Sequence, residues 1–321
     1  MKAAVIYQKD QLPEYTDVAE PSVQSGDEVL VTVKAVALKH FDKGRAAGRH
    51  YSNEAPAESG RVIGGDGIFL LPDGTRVFGV GVSGTMAEKA TIDKDRIVRV
   101  PGGLDDATAA ALPNAVIGAA MGLKFKAGIR PGDVVLVNGA TGFTGRIAVQ
   151  LAKYYGAKKV IATGRNLQSL EALPGLGADE IIPVGPDDFG SRIRALHADA
   201  PIDVIIDYLW GATAEILFDC IKGDGSFTNK IRYVSIGSMA GDRVALSAAV
   251  LRSVDLQLTG SGLGSWSKEQ VGRLFREILP EAFELAATGR LKAEVQEVKL
   301  RDIAELWDLG LPGGRRLVVT L

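Results

Sequence analysis

Residues Val134 to Gly145 read VVLVNGATGFTG, and residues 146–153 continue as RIAVQLAK. The first four residues form an apolar, largely β-branched run that is typical of a buried strand. A glycine-rich turn and then a helical spacing of apolar residues follow. Such a junction directs backbone N–H groups and the positive end of a helix at one point, which suits a pyrophosphate. The residues predicted to contact such a ligand are Gly139, Ala140, Thr141, Gly142, Phe143, Thr144 and Gly145.

Two of these glycines have the spacing of a dinucleotide-binding turn. Gly142 and Gly145 stand where the pattern G-x-G-x-x-G needs close backbone approach and tight helix–strand packing. Ala140 stands in place of the first glycine, so the strict pattern is not met. Because turns use glycine for positive φ in any case, an ordinary turn is the alternative, and the prediction depends on the surrounding sequence.

A second predicted strand, Lys159–Thr163, follows the helix and ends in Gly164, Arg165 and Asn166. These residues lie roughly 20 positions beyond the glycine turn, where an NAD-binding fold places an acidic residue for the ribose hydroxyl. An acid would repel a 2′-phosphate, whereas a guanidinium pairs with it. The three residues therefore predict NADP(H) as the cofactor; a solvated arginine at a strand end is the alternative.

The composition is that of an ordinary globular protein without a strong charge bias. Of 321 residues, 46% are hydrophobic and 24% charged, and the net charge is −2. This balance predicts neither a nucleic-acid partner nor a membrane protein. The start, Met1–Tyr7, has the pattern of a strand rather than of a signal peptide. Cys220 is the single cysteine, which excludes an internal disulfide and favours the cytoplasm.

Three sections of the chain differ in their pattern. Residues 1–118 contain short strands divided by turns and are predicted to be mostly β. Residues 119–258 alternate strands with helices, which predicts an α/β fold with a doubly wound parallel sheet and a ligand crevice at the carboxyl ends of its strands. Residues 259–321 contain a long amphipathic helix over Lys268–Thr288 and two strands. This last section is predicted to return to the first and complete it.

Several segments together resemble the medium-chain dehydrogenase/reductase superfamily, in particular its zinc-free quinone oxidoreductase-like branch. The resemblance runs nearly end to end, and the order of the segments is more specific than any one of them. Besides the glycine turn, they are Met1–Ala3, Asp42 with Arg45 and Gly48 in an N-x-x-D-x-x-x-R-x-G region, Val100–Pro101, Ala109–Pro113, Lys126–Val137, Gln150–Lys153, Leu176–Glu180 and Gly314–Val318.

The resemblance implies a fold, a reaction and an assembly. The fold is an N-terminal GroES-like β domain, completed by the C-terminus, with a Rossmann domain between. The reaction is hydride transfer from NADP(H) to a small quinone or an α,β-unsaturated carbonyl compound. Ser235, Ile236 and Gly237 are expected to approach the nicotinamide ribose, although core packing explains Ile236 equally well. Relatives commonly form homodimers by pairing the last Rossmann strand, here about Asp255–Gly260.

The chain also departs from the family. Zinc-dependent relatives need a Cys/His ligand set and a four-cysteine lobe, whereas this sequence has one cysteine, three histidines and a short Asp66–Val77 segment. No metal is therefore expected. Lys39 stands at the family's asparagine near the nicotinamide, and Gly118 stands at its usual threonine. Both changes bear on the substrate contacts that the family would imply.

Three residues are candidates to stabilise or protonate the substrate oxygen, on which negative charge grows during hydride transfer. Tyr51 is the first, because similar proteins place a tyrosine just after the R-x-G segment; an ordinary half-buried tyrosine is the alternative. His40 and Lys39 flank the predicted nicotinamide face, although a polar surface loop explains them almost as well. Asp42 is expected to fix this loop by hydrogen bonds, and Asp66 to be a turn carboxylate.

Three functions remain open at this point. The first is a zinc-independent NADPH-dependent quinone or enone reductase. The second is an atypical short-chain reductase, since the glycine turn also suits that family, although there the turn lies near the N-terminus. The third is a nucleotide-binding sensor or structural protein that holds NADPH without turnover.

Overall fold

The computed structural model describes residues 1–9, 11–46, 60–185, 187–226, 228–311 and 313–321, with the backbone alone at Phe41, Arg45 and Ala46. The chain forms two compact units, one of Met1–Asn114 with Phe275–Leu321 and the other of Ala115–Leu274. The domain boundaries expected from sequence, near 118 and 258, stay predictions.

Strands and helices are numbered along the described residues. The strands are β1 (Lys2–Ile6), β2 (Glu14–Asp17), β3 (Glu28–Ala37), β4 (Arg61–Val62), β5 (Asp66–Leu70), β6 (Arg76–Gly81), β7 (Lys89–Arg99), β8 (Val134–Asn138), β9 (Lys159–Gly164), β10 (Glu180–Pro183), β11 (Val204–Asp207), β12 (Ile231–Ser235), β13 (Leu256–Gly260), β14 (Val295–Lys299) and β15 (Arg316–Thr320). The α-helices are α1 (His40–Ala46), α2 (Asp106–Met121), α3 (Phe143–Tyr154), α4 (Leu167–Glu171), α5 (Phe189–Asp199), α6 (Gly211–Cys220), α7 (Ala248–Ser253), α8 (Lys268–Arg273), α9 (Leu279–Ala287) and α10 (Ile303–Leu306).

The unit of residues 115–274 is built on a six-stranded parallel sheet with the strand order β10-β9-β8-β11-β12-β13. Every residue of β8 is buried, as expected for a central strand covered on both faces. The register places Asn138, at the end of β8, beside Thr163 of β9 and Asp207 of β11. The predicted doubly wound α/β fold is confirmed, and the order reverses beside β8, where such folds bind ligands.

The other unit is mostly β. One sheet has the order β2-β1-β4, and a second has the order β14-β15-β3-β5-β6-β7. Since β3 also pairs with β7, the four strands β3, β5, β6 and β7 form a closed ring. The C-terminal strand β15 lies antiparallel to β3, so the end of the chain shares a sheet with the N-terminal section.

Two helical regions differ from the sequence prediction. The sequence predicts an acid-capped helix start at 105–112 and a helix at 115–125. The structure instead has the single helix α2, continued by a π-helical segment over Gly122–Ala127. The long helix predicted over Lys268–Thr288 consists of α8 and α9 joined by a π-helical segment, Leu274–Ile278.

No helix within the described ranges combines the length and the apolar character that crossing a bilayer would need.

Candidate functional site

The turn after β8 contains the left-handed residue that the strand–turn–helix junction requires. Gly139 has a φ of +87°, a conformation that favours glycine. Its N–H and that of Ala140 donate to the carbonyl oxygen of Thr163 at 3.2 and 2.7 Å. A Cβ atom at Gly139 would also lie 3.0 Å from Cγ of Leu209. Because the positive φ belongs to Gly139, the alanine at the first position of the glycine pattern is compatible with the turn.

Helix α3 begins directly against this turn. A Cβ atom at Gly145 would lie 2.4 Å from the carbonyl oxygen of Gly139, so the contact requires glycine. Gly142 is the N-cap residue of α3, is exposed and has no side chain to cap the first turn. Phe143 is buried and Thr144 is half-buried within that turn. The first turn of α3 therefore offers its backbone N–H groups to an anion.

The residues at the end of β9 have three different environments. Gly164 packs against Thr141, since a Cβ atom there would lie 2.4 Å from Cγ2 of the threonine. Arg165 is exposed, and its side chain has no hydrogen bond or ion pair with any other residue that the structure describes. Asn166 caps α4, because its Oδ1 accepts from the N–H of Ser169 at 2.8 Å. Of the three predicted residues, Arg165 carries the charge suited to a phosphate.

The end of β12 packs against the loop that follows β11. The N–H groups of Ile236 and Gly237 donate to the carbonyl oxygen of Asp207 at 2.8 and 3.3 Å. A Cβ atom at Gly237 would lie 2.7 Å from the carbonyl oxygen of Tyr208, which explains the glycine by close approach. Ser235 is the last residue of β12 and pairs with Asp207 in register. The three predicted cofactor-binding segments thus lie at the carboxyl edge of one sheet.

Sequence reasoning missed a buried polar network beneath this edge. Asn138, Thr163, Asp207 and Tyr233 are each fully buried, and hydrogen bonds join their side chains across four neighbouring strands. Burial and the nearby Asp207 carboxylate raise the pKa of Tyr233 well above its usual value. For Asn138, Thr163 and Asp207 the signal available in the sequence was a polar residue at or next to the end of an otherwise apolar strand.

The other unit contains a buried charged cluster around Lys39. This lysine is 3% exposed, and its Nζ bonds Oδ1 of Asp66 and lies 3.5 Å from Oδ2 of Asp42. The same Asp42 oxygen accepts from the backbone N–H of Lys39 at 3.0 Å. Arg316 of β15 is also buried. The expected turn role of Asp66 is wrong, because Asp66 begins β5 and binds the ammonium; the surface-loop explanation of Lys39 is wrong because the side chain is buried.

Burial and neighbouring charges have opposing effects on the pKa values in this cluster. Burial disfavours the ammonium of Lys39, but the carboxylates of Asp42 and Asp66 outweigh that effect and hold its pKa above the usual value. Burial lowers the pKa of Arg316 to about 10, although the same two carboxylates oppose the shift. Lys39 is therefore a fixed positive charge and hydrogen-bond donor at neutral pH, and it releases its proton reluctantly.

Of the two remaining catalytic candidates, the structure describes His40 but not Tyr51. His40 is the first residue of α1 and is exposed at the surface, yet the surrounding chain desolvates its ring in part. This desolvation, together with the charges of Arg316 and Lys43, lowers the pKa of His40. Tyr51 lies outside the described residues. Across the described ranges, no group of three or more His, Cys, Asp or Glu side chains is arranged to hold a metal ion.

The glycine at position 118 has a structural explanation. A Cβ atom there would lie 3.0 Å from Cγ2 of Thr144, in the first turn of α3. The carbonyl oxygen of Gly118 also accepts a hydrogen bond from the hydroxyl of Tyr208 at 3.3 Å. The space of a side chain at position 118 is thus limited by Thr144.

A doubly wound sheet with a glycine turn at its carboxyl edge, together with a mostly β unit, defines the class of a dinucleotide-binding fold. A family model described as "Zinc-binding dehydrogenase" matches residues 144–279. A quinone oxidoreductase-like protein 2 homolog of Nematostella vectensis is 27% identical over 83% of this chain and 73% of its own length. A probable NADPH-dependent quinone reductase of Emericella nidulans is 24% identical over 96% of both chains.

The same similarity holds in three dimensions. The quinone oxidoreductase from Thermus thermophilus, also crystallised in its complex with NADPH, is 26% identical and superposes with a TM-score of 0.80 over 100% of both chains. These similarities support the medium-chain dehydrogenase/reductase superfamily, and within it a quinone oxidoreductase-like protein, over the short-chain alternative.

Proposed function

We propose that this protein is a zinc-independent reductase that uses NADPH to reduce a small quinone or an α,β-unsaturated carbonyl compound. The observation that carries the proposal is the carboxyl edge of the parallel sheet. There the uncapped start of α3 adjoins the end of β9, where Arg165 is exposed. The similarity to this family supports an oxidoreductase, and the quinone reductases among the relatives support the acceptor class.

The residues at this edge fit a dinucleotide. The backbone N–H groups from Gly142 into the first turn of α3 would hold the pyrophosphate. Arg165 would pair with the 2′-phosphate, and its freedom from other described partners leaves its guanidinium available. The segment Ser235–Gly237 would adjoin the nicotinamide ribose. The bound cofactor would supply the hydride, and the chain would supply orientation and charge.

The chain must also stabilise negative charge on the substrate oxygen. Tyr51 stays the first candidate proton donor, because a phenol has a pKa near 10 and can donate at neutral pH. His40, whose pKa is lowered, would be neutral at that pH and could donate an N–H hydrogen bond. Lys39 would contribute a fixed positive charge. Since its ammonium already occupies the space between Asp42 and Asp66, we propose that the protein needs no metal.

A second candidate function is the binding of NADPH without turnover. It is favoured by the burial of Lys39, because its ion pairs with Asp42 and Asp66 satisfy the ammonium without any substrate. In that case Lys39 would be structural. Measured turnover separates the two candidates.

The proposal includes a homodimer and a cytoplasmic setting. Among the described strands, β13 pairs on one side only, with β12, which leaves an edge for the strand of a second copy. Leu258 of this strand is 38% exposed. The cytoplasmic setting rests on the free thiol of Cys220. Sedimentation at increasing protein concentration tests the dimer.

The test of the function is NADPH oxidation by the purified protein. The acceptors are 1,4-benzoquinone, 9,10-phenanthrenequinone, an alkenal and a simple aldehyde, each also assayed with NADH and with EDTA. We expect turnover with a quinone or the alkenal that EDTA does not reduce and that NADH supports poorly. Tight NADPH binding without turnover of any acceptor would favour the second candidate. Loss of turnover in EDTA would contradict the metal-free mechanism.

A further inference from the structure

The loop after β11 contains an unusual backbone conformation. Trp210 has a φ of +57° and is the one non-glycine residue with positive φ among the described residues. A residue with a Cβ atom rarely adopts this conformation. It persists only where the surroundings hold it, and such positions are common at functional sites. The question is therefore which groups hold Trp210.

Side chains hold both polar backbone groups of Trp210. Its N–H donates to Oδ1 and Oδ2 of Asp207 at 3.2 and 3.1 Å, and its carbonyl oxygen accepts from the hydroxyl of Thr213 at 2.9 Å. The N–H of Leu209 also donates to Asp207 at 2.8 Å. The carboxylate thus binds two consecutive N–H groups of the strained turn.

Asp207 is itself held from the neighbouring strands. The hydroxyl of Tyr233 donates to its Oδ2 at 2.6 Å, and Nδ2 of Asn138 donates to its Oδ1 at 2.8 Å. Oδ1 of Asn138 in turn accepts from the hydroxyl of Thr163 at 2.7 Å. A fully buried carboxylate is tolerated here because neutral donors surround it. The network spans β9, β8, β11 and β12.

The strained turn lies between two of the predicted cofactor-binding segments. Leu209 limits the space at Gly139 of the glycine turn, where a Cβ atom would lie 3.0 Å from its side chain. The carbonyl oxygen of Tyr208 limits the space at Gly237, at 2.7 Å from a Cβ atom. A displacement of residues 208–211 would therefore move the support of both segments.

We propose that Asp207 is a positioning residue for the dinucleotide site. It holds Trp210 at its positive φ within the turn 208–211, and this turn supports the glycine turn on one side and Gly237 on the other. The proposal rests on the proposed function, because it takes the carboxyl edge of the sheet to be the cofactor site. Asp207 acts through the backbone and touches no substrate.

The first test compares D207N with D133N. Asp133 is a matched control, because it is buried, binds Arg232 at 2.8 Å and accepts from the N–H of Arg130, but it immediately precedes β8, at the opposite end of that strand. Both substitutions should lower the unfolding temperature. We expect D207N to weaken NADPH binding, measured by fluorescence titration, by about tenfold, and D133N by less than about twofold.

The second test isolates the strain at Trp210. W210G and W210A both remove the ring, but only glycine adopts the left-handed conformation freely. We expect D207N to weaken NADPH binding by about tenfold in the W210A protein and by less than about threefold in the W210G protein. A merely structural aspartate would lower the unfolding temperature in both backgrounds without this difference in affinity.

The outcomes separate the two proposals. Suppose that the wild-type protein binds NADPH. If D207N then binds NADPH with unchanged affinity, or if D207N weakens binding equally in the W210A and W210G proteins, the positioning role is overturned and the proposed function stands. Wild-type protein that binds neither NADPH nor NADH overturns both. If D207N does not fold, D207E takes its place, because it keeps the charge but displaces the carboxylate from the N–H groups of Leu209 and Trp210; unaltered NADPH affinity of D207E would overturn the role.

Discussion

Each of the two units buries a polar cluster around carboxylates, and the two clusters balance their charge differently. In the mostly β unit, Asp42 and Asp66 bind the ammonium of Lys39. In the parallel-sheet unit, the described partners of Asp207 are neutral: two backbone N–H groups, a hydroxyl and an amide. The first cluster depends on charge balance, with Lys39 in direct contact with both carboxylates and Arg316 also acting on them, whereas the second distributes its stabilisation over several neutral donors.

This difference predicts how much stability the protein loses when one partner of each cluster is removed. Removing one member of a buried ion pair leaves an uncompensated charge, which is strongly destabilising. Removing one of several donors to a carboxylate leaves the others in place, so the loss is smaller. Substitutions in the two clusters should therefore differ in size, and the following experiments test that expectation.

The largest effect is expected for K39M. The substitution leaves Asp42 and Asp66 without the ammonium between them, and we expect the free energy of unfolding to fall by about 3–5 kcal/mol. Urea denaturation measures the loss. The control K2M removes an exposed ion pair with Asp17 and should have no measurable effect.

A double variant shows whether the loss in K39M comes from charge. The free energy of unfolding of K39M/D66N should fall by less than the sum of the losses in K39M and D66N, because the double variant removes both partners of the ion pair. Additive losses, or equal stability of K39M and K2M, would contradict the assigned role of the ion pair.

The next effect is expected for R165A, and it should appear in binding rather than in stability. Arg165 is an exposed cation, in contrast to Lys39, so its removal should not change the urea midpoint. We expect NADPH to bind about 10- to 100-fold more weakly, while NADH binding is unchanged. R194A, an exposed arginine of α5, is the control. Equal losses for NADPH and NADH would exclude the phosphate role.

A smaller effect is expected for Y233F. The substitution removes the hydroxyl that donates to Asp207 at 2.6 Å but keeps the ring, which packs against Phe218 and Trp210. Because the other donors to Asp207 remain, we expect the free energy of unfolding to fall by about 1–2 kcal/mol. A loss as large as that of K39M would show that the network does not share its stabilisation.

The smallest effect on stability is expected from the protonation of two histidines, one in each unit. Burial lowers the pKa of His197 below 6.5, and its Nδ1 accepts from the N–H of Ile202 at 3.0 Å. Burial and the charges of Arg316 and Lys43 lower the pKa of His40. Below about pH 6.5 the unfolded state binds more protons than the folded state. Stability is therefore complete above that pH and is lost as the pH falls through the lowered pKa values.

Salt distinguishes the two histidines. Added salt screens the cations that lower the pKa of His40 and should reduce its part of the pH dependence; at His197 it screens Asp203, which opposes the shift, so the part of His197 should not fall. Urea unfolding of H40Q and H197Q between about pH 5 and pH 8, at low and high salt, measures both parts. An equal salt response of the two variants would contradict the assigned causes.

Local sequence patterns were sufficient for the fold of the parallel-sheet unit and for its glycine turn. A buried β-branched strand followed by Gly142 and Gly145 predicts a strand–turn–helix junction, because each requirement falls on neighbouring residues. The pattern G-x-G-x-x-G would require its first glycine at position 140, where this chain has alanine, whereas the structure places the positive φ at Gly139. That detail depends on Thr163 and Leu209, which are distant in sequence.

The features that the sequence did not predict depend on contacts between distant segments. Asp66 looked like a turn carboxylate because glycines surround it, and only the pairing of β5 with β3 brings it to Lys39. Trp210 carries no local signal for a positive φ, because its conformation is imposed by Asp207 and Thr213. Gly118 looked like a lost substrate contact, whereas the packing of Thr144 explains it.

The contact between Gly164 and Thr141 has a consequence for engineering the cofactor preference. An aspartate at the end of β9 is the obvious change toward NADH, yet its Cβ atom at position 164 would lie 2.4 Å from Cγ2 of Thr141. G164D alone would therefore displace the glycine turn and weaken the binding of both NADPH and NADH. A smaller residue at position 141 has to accompany it, so exchange of the cofactor requires the two segments to change together.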